Sequence, residues 1–593
     1  MKYKMLVNIL DKICMEAPQK LSKTYNPDSA DIEKINAARA RAFIHLFLKV
    51  KFGIMDFTDR ERNITDGSYD GGIDGYFIDK EDRLIYLIQS KFRTTKSNFE
   101  SKVISYDEIL CMDVERILTG ETHDEFGNEY NGKITQLQRE LSGTDYITKY
   151  NYKIIILANL NDIQPARLRK LTDGYNADVF DYIRTYNELV FPVISGTLFT
   201  AHDICIPIDL SAKNAGSKIS YTVKTRASNC EITVLFVPVL EIAKIMSKYK
   251  NSILKYNPRS YLEFQGQAVN ASIRKTVIDN NTNEFALYNN GITMISDDTS
   301  INERIGQKNK AQLSVKNPQI INGGQTSYIL SRIYEETHPD KIFDTFNEKE
   351  VLLKIITLID NDRVEDKLEL IEAVSEATNK QTPVINADRY ANEPIHQNIQ
   401  KVIFDKFGML YERKRGEFAD GLNSGYVELN QIIERNFFLR IYFASNGCIN
   451  LGSQKKLFQK NPEKQLILDG EKINNFHIGY HVFNEVTKKF LSKNNNLNIK
   501  KLDKSYYGKI YLYNVLFPGS AVTDIGDNLI SLSSEWRHFV DFAMKENEKT
   551  RKFWVSDSTF NEMKYYHSMQ LEADLHKYIK TKEYKSSNQH CTS

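Results

Sequence analysis

The residues best suited to chemistry are Asp70, Asp74, Gln89 and Lys91, all inside the stretch DGGIDGYFIDKEDRLIYLIQSK, residues 70–91. Carboxylate and amide oxygens hold a hard divalent cation, and an ammonium beside them offsets charge on a phosphodiester under attack. The stretch reads as a hairpin, with strands Ile73–Asp79 and Leu84–Lys91. Lys80, Glu81, Asp82 and Arg83 between them suit a four-residue loop. That loop sets Asp79 opposite Leu84, which brings Asp74 opposite Gln89, and Lys91 shares the side of Gln89. The apolar neighbours Ile73, Tyr76, Phe77, Ile78, Leu84, Ile85, Leu87 and Ile88 fall on both faces, as in a strand pair covered on both sides. Polar groups at the end of such a hairpin are costly to bury. Asp74 is then the main metal ligand, Gln89 completes or orients the site, and Asp70 is a further candidate ligand. Lys91 positions water or stabilises the oxyanion. Mg²⁺ is the expected cofactor, with Mn²⁺ as an alternative.

Asp74 followed by Gln89-Ser90-Lys91 on the next strand resembles the PD-(D/E)XK nuclease core in its Mrr-like form, where Gln takes the place of the acid in the (D/E)XK triplet. The resemblance implies a restriction-endonuclease-like mixed sheet flanked by helices and an endonuclease that favours DNA. Many nucleases of this fold carry an acidic ligand on the first helix. Asp31 and Glu33 are the acids available there, and a helix cap is the preferred role for Asp31.

The elements that position these residues come from the rest of the chain. Its 593 residues suggest roughly three or four units at about 150 residues each. A composition of 41% hydrophobic and 26% charged residues is that of a globular protein, and a net charge of +2 confines any phosphate-binding surface to a local patch. The cysteines are scattered without a CxxC pair, which argues against a zinc site and against a disulfide scaffold and fits a reducing cytoplasm. No apolar run is long enough for a membrane helix, and the N-terminus does not read as a signal peptide.

Apolar periodicity predicts a helix over about 30–51, ended by Gly53. A helix follows the hairpin and carries Arg93, Lys96 and Lys102, a candidate grip on a phosphate backbone. Residues 113–130 read as loop, 152–160 as a buried strand, and 179–183 as strand. Alternating strands and helices make residues 1–215 one α/β domain, with a boundary at 210–217. Residues 216–430 form a second α/β region, and 431–593 a mainly helical one.

The second region is rich in amide motifs. Asn289-Asn290-Gly291 reads as a tight turn into a strand. Asn322-Gly323-Gly324-Gln325-Thr326 reads as strand, Gly-Gly turn, Thr cap and helix, a geometry that aims N–H groups at an anion or nucleotide phosphate. No GxxxxGK[ST] motif accompanies it, which disfavours an ATPase. Tyr411-Glu412-Arg413-Lys414-Arg415 is a basic cluster suited to nucleic acid. His477 and His481 are a weak candidate metal pair without a third ligand. Asn257-Pro258-Arg259, Val269-Asn270, Asn289-Asn290-Gly291-Ile292, Asn322 to Thr326, Asn379-Lys380-Gln381-Thr382 and Tyr411 to Lys414 occur in order and resemble the AIPR (abortive infection phage resistance) family, with Pro258 where that family tends to have an aliphatic residue. The resemblance implies bacterial anti-phage defence.

Two readings compete. One is a metal-dependent endonuclease, with the AIPR region recognising a trigger or a regulatory protein; a homodimer suits two-strand cleavage. The other is a sensor or nucleic-acid-binding protein with an inactive nuclease fold, motivated by the neutral Gln89. RNA as substrate stays open, as does a nucleotide-binding role for the NGGQT turn.

Overall fold

The computed structural model describes residues 1–105, 112–160, 164–210, 219–225, 229–257, 267–278, 282–359, 373–374, 377, 391, 393–454, 468–491, 502–556 and 559–589. The fold is mixed α/β, as expected. Contacts divide the chain into two compact units, residues 1–381 with 416–431, and residues 382–415 with 432–593.

The first sheet has strands β1 (Gly75–Asp79), β2 (Leu84–Ser90), β3 (Asn151–Leu157) and β4 (Ala177–Phe180), in that spatial order. β1 runs antiparallel to β2, and β2, β3 and β4 are parallel. Helices cover both faces, which is why the strands lack polar alternation. On one face Tyr76, Ile85, Leu87, Ile154 and Ile156 pack with Ile134 and Leu137 of the helix Gly132–Ser142. On the other lies the helix Ile32–Phe52, whose Phe52 stacks on Phe77 with centroids 4.3 Å apart. That helix starts on the Asp31 side chain, which accepts the Lys34 N–H, and stops at Gly53 in the left-handed region.

Two local expectations fail. The helix after the hairpin spans just Lys96–Glu100, and Lys102 lies beyond it. The β-branched pair Val103-Ile104 favours extended backbone, and the Ile104 N–H donates to the Asn159 carbonyl at 2.8 Å. Within the expected loop 113–130, Val114–Leu118 is helical because Val114 and Ile117 reach the core.

The first unit continues with β5 (Asp203–Asp209), β6 (Ile219–Lys224), β7 (Asn229–Pro238), β8 (Ile292–Ser296), β9 (Asp298–Asn302), β10 (Lys310–Lys316), β11 (Gln319–Asn322) and β12 (Glu350–Leu358). They form a five-stranded sheet, β11-β8-β12-β7-β6, and a three-stranded one, β5-β10-β9. β5 pairs along its whole length with β10, from Asp203 opposite Lys316 to Asp209 opposite Lys310. The expected boundary near 215 therefore falls between two bonded strands. Residues 211–218 themselves lie outside the described residues.

In the second unit, helices dominate as expected: Pro394–Phe407, Arg435–Ser445, Gly470–Leu491, Lys504–Leu516, Ile525–Glu546 and Gln570–Gln589. Phe438, Phe476, Tyr507, Tyr513, Phe539 and Leu575 are among their core residues. Trp536 is buried on a helix, whereas Trp554 sits in a short strand against Phe560. No helix among the described residues is long and apolar enough to cross a membrane.

Candidate metal centre and the amide-rich turns

The four-residue loop sets the register of the hairpin: Asp79 lies opposite Leu84 and Gly75 opposite Ile88. One step further brings Asp74 level with Gln89. The Asp74 N–H donates to the Ile88 carbonyl at 2.8 Å, and its Oδ2 accepts the Ser90 N–H at 2.5 Å. The segment before β1 folds back on it, with the N–H groups of Thr65 and Asp66 both donating to the Asp74 carbonyl, at 3.0 and 3.1 Å. Within this loop the Asp70 carboxylate accepts the Gly72 N–H at 2.9 Å and the Gly67 N–H at 3.1 Å. Gly71 has φ +61°, and a Cβ there would lie 2.7 Å from Ile117 Cδ1. The left-handed backbone favours glycine, and a side chain there would also have to push the tip of Ile117 aside.

This folding brings three carboxylates together. Asp66, Asp70 and Asp74 each offer an oxygen within 4.8 Å of the others. An all-oxygen, triply anionic set suits Mg²⁺ or Mn²⁺. Sequence reading missed Asp66, which joins the group through the turn at Ser68–Gly72. Gln89 is fully buried, and its Nε2 donates to the Gly72 carbonyl at 3.1 Å, tying β2 to the acid loop. Burial pushes the Asp74 carboxyl up to about 7; the Ser90 N–H opposes this, Asp70 and Asp66 add to it, and Lys91 opposes it. Burial also raises Asp70, against its two backbone hydrogen bonds. Lys91 thus acts electrostatically on both acids, while its ammonium forms no hydrogen bond or ion pair among the described residues.

Behind the acid loop lies a buried polar network that sequence reading also missed. His45 and Arg60 are fully buried. The Tyr25 hydroxyl meets His45 Nε2 at 2.7 Å and donates to Glu61. Arg41 donates to the Tyr25 hydroxyl at 2.7 Å, to Glu61 at 2.9 Å and to the Asp66 carbonyl at 2.9 Å, with the Asp66 carboxylate 3.4 Å away. Arg60 caps the far end on Glu16 and the Ile54 and Met55 carbonyls. Burial alone would raise the Glu61 carboxyl, but His45 and Arg41 bring it down to about 2. Burial lowers His45 despite the Glu61 carboxylate beside it. Charged residues on an apolar helix face and in the short helix Phe57–Arg62 were the available signal. Asp31 is half-exposed at its helix cap, and neither it nor Glu33 is part of the acid cluster.

The other expected contacts are spread out. Arg93 follows β2, with the Tyr3 hydroxyl on its carbonyl at 3.2 Å; Lys96 is exposed, 3.9 Å from Glu100. In the second unit Lys414 is 4% exposed, and Tyr411 is fully buried with its hydroxyl 2.7 Å from His396 Nδ1. That packing removes Lys414 from the solvent-facing role expected of it; Arg413 and Arg415 are half-buried. His477 stacks on Phe407 at 3.9 Å, and burial brings it down to about 4.

The amide-rich turns meet at one sheet edge, because β8 and β11 are neighbours and Asn322 lies opposite Thr293. Gly291 and Gly323 both have positive φ; a Cβ on Gly291 would lie 2.8 Å from the Leu352 carbonyl, and one on Gly323 would lie 3.0 Å from the Gly291 carbonyl. The Asn289 amide donates to Thr326 Oγ1 at 3.2 Å, and Gln325 donates to Asn270 at 2.7 Å. Four of the six motifs thus share one cluster, since Gly324 faces Asn257 as well. The helix begins at Gly324 with Gly323 as its cap, so Thr326 lies inside the first turn and is not the cap expected. The Gly323 N–H donates to Asn322 Oδ1 at 2.8 Å, which removes one N–H from those expected to greet an anion. Pro258, Arg259 and the motif Asn379–Thr382 lie outside the described residues.

No curated protein and no solved structure matches the chain. The AIPR protein family model matches residues 254–585 and includes both amide-rich turns; residues 1–253, with the acid cluster, precede the match. The match covers more than half of the chain, so the chain belongs to the AIPR protein family.

Proposed function

We propose that this protein is a metal-dependent endonuclease acting in bacterial anti-phage defence by abortive infection. The defence assignment follows from the family. The observation that carries the chemistry is the convergence of Asp66, Asp70 and Asp74 beside Lys91, at the open end of a hairpin with Mrr-like order. The three carboxylates would hold Mg²⁺ or Mn²⁺. The cation supplies the charge that activates water and offsets negative charge gathering on the phosphodiester. Lys91 places a positive charge beside the reacting phosphate. Gln89 holds the acid loop against β2 through Gly72, and Arg41 holds Asp66 from behind. DNA is the favoured substrate, by resemblance to Mrr-like nucleases.

The test is cleavage of plasmid DNA and of structured RNA by the full chain, with Mg²⁺, Mn²⁺ or chelator, beside Asp74→Ala and Lys91→Ala. Metal-dependent cutting lost in both variants is expected. Cutting that survives both would overturn the assignment. The neutral Gln89 favours one second reading, an inactive sensor, which predicts no calorimetric Mn²⁺ binding even at millimolar metal.

A further inference from the structure

A solvent-open cleft lies at the carboxyl ends of the parallel strands β2, β3 and β4. Its lining includes Lys91 and Arg93 after β2, Asn159 after β3, and Thr185 beyond β4. Phe43 and Phe99 form an apolar wall. Ligands of open α/β sheets collect outside this end of the strands. Two further observations single the place out. Thr185 is 1% exposed, and its hydroxyl has no hydrogen-bond partner among the described residues. It also opens a π-helical turn, Thr185–Val190, a local irregularity that tends to mark function. A buried hydroxyl without a partner costs stability, so the site is built for a polar occupant.

The chemistry of the lining selects that group. Among the described lining residues the charged groups are Lys91, Arg93 and Asp181, and Asp181 Oδ1 accepts the Arg184 N–H at 2.8 Å. The enclosed part of the cleft has room for about one water-sized group. A phosphoryl oxygen is such a group, and a nucleobase is not. Lys91 lines this cleft and also acts on Asp70 and Asp74, so an anion here sits next to the acid cluster.

We propose that the cleft is a backbone-phosphate subsite for nucleic acid, adjacent to the phosphodiester under attack, with Thr185 donating to a phosphoryl oxygen and Arg93 supplying charge. This rests on the endonuclease reading. The test is fluorescence anisotropy in chelator, with a short labelled duplex DNA and a labelled single-stranded RNA, for the full chain and for Thr185→Val, Arg93→Gln and Asp74→Asn. Thr185→Val should weaken binding of the favoured probe about tenfold. Because valine removes an unsatisfied hydroxyl at equal size, its Tm should equal or exceed that of the parent. Arg93→Gln should also weaken binding and reduce the salt slope by about one. Parent-like binding by Thr185→Val, or a lowered Tm without weaker binding, overturns the subsite. The same proteins are assayed in parallel for plasmid cutting with Mg²⁺, and Asp74→Asn then separates the two ideas. If it abolishes cutting while the cleft variants bind and cut like the parent, the endonuclease stands and the subsite falls. If the cleft variants lose binding while no protein cuts, a phosphate-binding cleft stands, and the endonuclease falls together with the cleft's place beside its reaction.

Discussion

Asp74 and Ser90 hold each other across the mouth of the hairpin: the Ser90 N–H lies 2.5 Å from Asp74 Oδ2, while the Asp74 N–H is spent on Ile88. That single N–H is the hydrogen bond that favours the charged carboxylate, and burial beside Asp70 and Asp66 outweighs it. Asp74 is therefore a carboxyl held partly protonated near neutral pH in the absence of a cation.

The first consequence concerns stability. The folded-state value, about 7, lies above the ordinary 3.8, so the fold binds a proton that the unfolded chain has lost. Its contribution is fully present below about pH 4 and is lost as pH rises through 7, by an amount on the order of a few kcal/mol. Asp74→Asn should remove this dependence. In chelator at pH 8, denaturant titration should find the variant more stable than the parent by about 1–3 kcal/mol. An unchanged pH profile would count against the buried-acid description.

Metal binding should show the opposite face of the same titration. Below pH 7 a cation must displace the Asp74 proton, so Mn²⁺ affinity should rise about tenfold per unit from pH 5.5 to 7 and level off above. Calorimetry at pH 6 in buffers of different ionisation enthalpy should find close to one proton released per cation. Affinity that is flat across this range would place the cation elsewhere.

Arg41 ties the acid cluster to the buried network through Tyr25, Glu61 and the Asp66 carbonyl. Arg41→Ala leaves the Glu61 carboxylate buried with less compensation and should cost about 3 kcal/mol in denaturation. Calorimetry on the folded variant should also show weaker Mn²⁺ binding, since Asp66 loses its anchor. Arg41→Lys restores the charge without the planar fork and should recover a part of each.

At the amide-rich turns, Gly291→Ala should be far worse than Gly127→Ala. Both have positive φ, but the added methyl meets the Leu352 carbonyl at 2.8 Å in one case and open space in the other. Expected losses are about 1 kcal/mol at Gly127 and about 3 kcal/mol or more at Gly291, read from thermal unfolding. Equal losses would mean that the close approach of these turns is not what fixes them.

The hairpin register was legible because it depends on the length of one charged loop and on a period of two, both local. The long helix before it was legible for the same kind of reason, down to its Gly53 stop. Asp66 was not, since its approach to Asp70 and Asp74 depends on positive-φ turns at Tyr69, Gly71 and Gly72. The Tyr25–His45–Glu61 network was hidden too: each member looks like an ordinary helix residue until three separate helices come together. Lys414 misled because a run of cations reads as surface, and burial among neighbours is a property of the tertiary fold.

The pairing of Asp203–Asp209 with Lys310–Lys316 has a practical meaning for how this chain can be divided. A fragment ending near residue 210 carries a strand with nothing to bond to. A fragment beginning there bares one side of β10, the kind of open edge to which other molecules add their own strands. Along the chain the acid-bearing front looks like a detachable cassette. In space it is fastened by a clasp whose second half leaves the ribosome much later, so truncations that respect the apparent boundary should aggregate, while those that stop before β5 should stay dispersed.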